Sequence, residues 1–86
     1  MVDRTYFPIE RLQPGRRAIV RQITGGKEFA GRLAAIGLGV GVRVEVLQNT
    51  RHGPLLVRAL DTRIALGRDE ALKILVEESG DEPADG

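Results

Sequence analysis

Apolar and polar positions along the chain change period several times, and each change marks an element. Phe29, Leu33 and Ile36 recur at four- and three-residue steps, the spacing of one helix face. This predicts a helix from about Lys27 to Ile36. Gly37 then stands where a helix C-cap takes positive φ without a Cβ penalty. After Gly41 the period drops to two, with Val42, Val44 and Val46 alternating with Arg43, Glu45 and Leu47. A half-buried strand over Val42 to Gln48 follows from that alternation. Upstream, Ile9 and Leu12 precede the turn signal Pro14-Gly15, and Ala18, Val20 and Ile23 among Arg17, Arg21 and Gln22 predict a first strand reaching about Thr24. Gly25-Gly26 breaks it. Downstream, the polar stretch Asn49 to Pro54 links the second strand to Leu55–Leu60 as an antiparallel hairpin. Asp61-Thr62 then turns the chain tightly into Arg63–Leu66. Gly67 to Leu72, with Asp69 and Glu70 near its start, predicts a single helical turn before a last strand over Lys73 to Glu77.

Five short strands with tight turns favour a mainly β fold, a small, partly closed antiparallel barrel with one inserted α-helix and a short second helical turn. Closure removes exposed strand edges, and an SH3-like barrel is the natural candidate. The chain has 86 residues, enough for one domain but for a modest core. Residues 1–78 are read as that domain. Ser79 to Gly86 combines Gly, Pro and acids without a large apolar residue, so 79–86 is expected to be a disordered acidic tail.

Charge and chemistry narrow the function. Net charge is +1, but the last eight residues hold three acids and no base, leaving 13 bases and 9 acids in residues 1–78. Cysteine is absent, which excludes disulfides and thiolate metal sites. The longest uncharged apolar run, Leu33 to Val42, is far short of the roughly 20 residues of a membrane span, and the N-terminus has no apolar run like a signal peptide. A cytoplasmic location is expected. His52, the only histidine, falls in a loop and lacks the companion ligands a transition metal needs. Thr24-Gly25-Gly26-Lys27 fails as a phosphate loop because Arg21 and Glu28 occupy the positions of the required glycine and hydroxyl residue. Gly37, Gly39 and Gly41 lead from helix into strand, the reverse of a dinucleotide fingerprint. No threonine or serine sits in a nucleophile motif, and separated acids such as Asp61 and Asp69 read as solvated turn and helix-start residues. The chain is thus read as a non-enzyme without a cofactor.

Two binding readings remain. The glycine loop carries Leu38 and Val40, flanked by Arg32 and Arg43, an apolar centre with a basic rim suited to a protein interface. The same Leu38 can equally plug the barrel. As an alternative, Arg21, Arg43, Arg58 and Arg63 all fall in strands and can share an outer face toward nucleic acid. Tyr6, Phe7 and Phe29 are the only aromatics, too few for base-stacking platforms.

Leu33-Ala34-Ala35-Ile36-Gly37-Leu38, with Gly41 beyond, resembles the Leu-x-x-Leu-Gly-Leu-x-Pro-Gly core of FeoA domains, accessory proteins of bacterial ferrous-iron uptake. Leu12-Gln13-Pro14-Gly15 is similar to that family's opening, and Ile64-Ala65-Leu66 followed by Ala71, Ile74 and Val76 to its closing pattern. Val40 stands where the family usually has proline, and Asp61 where glycine is common. The resemblance implies an SH3-like barrel, a cytoplasmic location, transition-metal association at family level, and docking on FeoB, a membrane transporter with a G-protein domain.

Overall fold

The computed structural model describes residues 5–79; of the expected tail 79–86, only Ser79 is among them, and residues 80–86 lie outside. In chain order the elements are β1 (Phe7–Pro8), a 3-10 turn (Ile9–Arg11), β2 (Arg17–Ile23), α1 (Lys27–Ala35), β3 (Arg43–Asn49), β4 (Leu55–Ala59), β5 (Thr62–Leu66), α2 (Arg68–Leu72) and β6 (Ile74–Glu78). The strands form one antiparallel sheet in the order β1-β6-β2-β3-β4-β5. The end strands β1 and β5 do not pair with each other, so the barrel is only partly closed. The expected five strands are all present. The addition is β1, two residues too few to show a period, which pairs with β6 through Phe7 opposite Val76 and Pro8 opposite Leu75.

Alternation sorts the strands into an apolar inside and a charged outside. Ala18, Val20, Val44, Val46, Val57, Ile64, Leu66, Ile74 and Val76 are buried in one cluster, joined by Ile9 from the 3-10 turn, Leu12 just after it, and Phe29 and Leu33 from α1. Two bulges adjust the phase. The register of β2 against β6 shifts between Val20 and Gln22, which brings Ile23 back against the core three residues after Val20. In β3 the shift between Val46 and Gln48 pairs Asn49 with the buried Leu55, turning a polar side chain toward the inner end of the barrel. Across the outer face, Arg21 Nε donates to Glu77 at 2.8 Å and Arg58 Nη1 to Glu45 at 3.2 Å; Arg16 pairs with Glu78.

The tight β4–β5 connection sits one residue earlier than expected. Its corner is Leu60-Asp61, between the paired residues Ala59 and Thr62, and Leu60 takes φ +57° with its side chain 77% exposed. A leucine there holds a left-handed conformation that glycine adopts freely. At the start of α2, the Glu70 carboxylate accepts from the Gly67 N–H at 2.9 Å, reproducing half of a capping box.

Candidate functional site

The end of α1 and the loop into β3 position the residues that the sequence singles out. Gly37, with φ +93°, donates its N–H to Ala34 O at 3.0 Å, and Leu38 donates to Leu33 O at 2.8 Å. These two bonds make a Schellman motif, in which the residue after the left-handed glycine folds back over the last helical turn. Leu38 is accordingly 0% exposed and part of the same buried cluster as Leu33. The reading of Leu38 as a side chain offered to a partner is therefore corrected: it plugs the core. The signal was in the sequence, since an apolar residue just after a helix-ending glycine is the usual companion of this motif.

Val40 behaves oppositely and is 64% exposed. Gly41, with φ +95°, donates to Val20 O at 2.7 Å, and Val20 donates to Val42 O, so the loop is tied to β2 on the far side of Val40. Arg43 begins β3, exposed and opposite Ile19. Arg32 is exposed on α1, with its guanidinium 5.7 Å from the centre of the Phe29 ring; Lys73 Nζ lies 5.3 Å from the same ring.

One feature of this end of the molecule escaped sequence reading. Ile36, expected on the buried helix face, is the C-cap of α1 and is 50% exposed. The helix stops one residue short of carrying it inward. Ile36 instead helps line a groove of about 360 Å³ between α1 and the β5–α2 segment, together with Phe29, Arg32, Leu33, Ala65, Leu66 and Glu70. The groove thus gathers Arg32 but not Val40, on the loop, or Arg43, at the start of β3. Nothing in the spacing of Ala65 pointed to this groove, because β5 and α1 meet only in the folded chain.

Among the described residues no three His, Asp or Glu side chains converge as a metal site. His52, Asp61 and Asp69 are all exposed. Of the four arginines proposed for a nucleic-acid face, Arg21 and Arg58 are engaged by Glu77 and Glu45, which leaves Arg43 and Arg63. No helix is long and apolar enough to cross a membrane among these residues.

Comparison with known proteins agrees with this architecture. Residues 7–78 match the model of the FeoA domain. A protein of Methanocaldococcus jannaschii named Fe(2+) transport protein A is 32% identical over 73 residues, covering 85% of this chain and 88% of that one. The crystal structure of an iron uptake regulatory protein, FeoA, superposes with a TM-score of 0.80 at 28% identity, over 86% of this chain and 99% of that one. FeoA of Stenotrophomonas maltophilia, described as a prokaryotic SH3 domain protein and solved with zinc, gives a TM-score of 0.67 at 27% identity, over 79% and 86% of the two chains. The SH3-like barrel expected from the strand pattern is the fold of these neighbours, and the chain belongs to the FeoA domain family.

Proposed function

We propose that this chain is a non-enzymatic, cytoplasmic interaction module that assists or regulates ferrous-iron uptake by docking on a FeoB-type membrane transporter. Family membership over residues 7–78 supports the iron-transport setting, as does the name of the archaeal relative. The observation that carries a docking role is the exposed apolar end of α1. Ile36 and Val40 stand in solvent on either side of the Gly37–Leu38 turn, with Arg32 in the adjoining groove and Arg43 at the start of β3. An apolar centre with cations at its margin is the anatomy of a protein interface. Leu38 contributes by fixing the turn from beneath rather than by contact. The nucleic-acid alternative is weaker, because two of its four arginines are neutralised by glutamates on the same face.

The test is a pull-down of the membrane transporter with the wild-type chain and with Ile36→Glu and Val40→Glu, alongside ferrous-iron uptake in cells. Both side chains are at least half exposed, so the variants stay folded by circular dichroism. Binding is expected to weaken by about 2 kcal/mol or more for at least one of them, as for an interface anchor. Folded variants that bind and support uptake at wild-type levels refute this surface.

A further inference from the structure

The opposite end of the barrel holds a second, chemically different concavity. Arg68, at the start of α2, is only partly exposed and spends its guanidinium on neutral acceptors: Nε donates to Gly53 O at 3.1 Å, and Nη2 donates to Asn49 Oδ1 and to Thr50 O. Asn49 is itself fixed, its Nδ2 donating to Glu10 O at 3.0 Å and Leu12 O at 2.7 Å. The bulge in β3 is what turns Asn49 inward to accept Arg68. A cleft of about 650 Å³ opens over this network, and Arg11 from the 3-10 turn and Arg51 from the β3–β4 loop stand on its walls with Gln13.

The pairing pattern sets this cleft apart from the rest of the surface. On the sheet's outer face Arg16, Arg21 and Arg58 each have a glutamate partner. In the cleft Arg11, Arg51 and Arg68 have no carboxylate within ion-pair distance among the described residues, although Glu10 also lines the wall. Three arginines lining one cleft, one of them immobilised by its hydrogen bonds, against one glutamate leave an excess of positive charge. Arg68 is held through its Nε and Nη2 and keeps Nη1 for a ligand, and guanidinium donors match the oxygens of a phosphoryl group with charge-assisted hydrogen bonds. The cleft also exceeds the size of the phosphoryl group alone and falls within the range of small-molecule sites.

We propose that this cleft binds a phosphate monoester, with Arg11 and Arg51 closing on the phosphoryl oxygens over the fixed Arg68. The phosphoryl group comes either from a soluble metabolite or from a lipid headgroup. The experiment is a titration of the full chain with inorganic phosphate followed by amide NMR at constant ionic strength, with chloride as the matched control. Saturable shifts are expected at Gln13, Asn49, Arg51 and Gly53. Arg11→Gln and Arg51→Gln are each expected to weaken binding about five- to tenfold. Arg63→Gln, which removes the same charge from the exposed outer strand β5, is expected to leave it unchanged. Shifts that chloride reproduces, or equal weakening by Arg63→Gln, mean nonspecific charge attraction and overturn the proposal. Flotation with phosphatidylcholine vesicles carrying phosphatidic acid separates the sources. Flotation lost in Arg51→Gln assigns the lipid headgroup, whereas phosphate binding without flotation assigns a soluble ligand.

Discussion

Leu38→Ala is the sharpest test of how the glycine loop is built. The wild-type side chain is fully buried among the barrel residues, so truncation removes apolar groups worth about 0.8 kcal/mol per buried methylene. The surrounding strands cannot collapse fully into the space, because the Schellman bonds to Leu33 and Ala34 hold the loop backbone in place. With the cavity contribution added, the expected loss is about 3 to 4 kcal/mol. For a domain of this size that lowers the melting temperature by about 15 to 25 °C. Val40→Ala, two residues away in the same loop and mostly in solvent, should change stability by less than about 0.5 kcal/mol. Urea titration and thermal melting followed by circular dichroism measure both. A loss below about 1 kcal/mol at Leu38, or equal losses at Leu38 and Val40, would refute the division of the loop into a core plug and a solvent-facing residue. Leu38→Glu buries a charge and unfolds the domain, so loss of partner binding in that variant reports folding and not recognition.

Leu60→Gly should stabilise the chain by about 0.5 to 1 kcal/mol, because it relieves the left-handed strain at the β4–β5 corner and removes a side chain that is mostly in solvent; a lower urea midpoint would contradict it. Asn49→Ala should cost about 2 to 3 kcal/mol, since it deprives the carbonyls of Glu10 and Leu12 of their donor and Arg68 of an acceptor. A urea midpoint within error of wild type would show that water replaces the amide without penalty.

The parts of this protein readable from sequence are those governed by interactions over a few residues. The two-residue alternation of Val42, Val44 and Val46 located β3, and the helical spacing of Phe29 and Leu33 with Gly37 after them located α1 and its cap, since backbone geometry and capping act within one turn. The sequence left Leu38 open between a partner contact and a core plug, and only the folded chain shows it buried. Side-chain exposure at the element ends did not follow from period alone. Ile36 keeps the helical spacing yet faces solvent, because the cap leaves helical geometry before its side chain is brought inward. Folding decided everything that depends on strand register and on segments distant in the chain. The bulge after Val46 rotates Asn49 inward, and the antiparallel topology carries Arg11, Arg51 and Arg68 to one cleft and Ala65 to the flank of α1. Each of those positions reads in sequence as an ordinary surface residue. Only the path of the sheet, set by burial of the whole apolar face at once, brings them together.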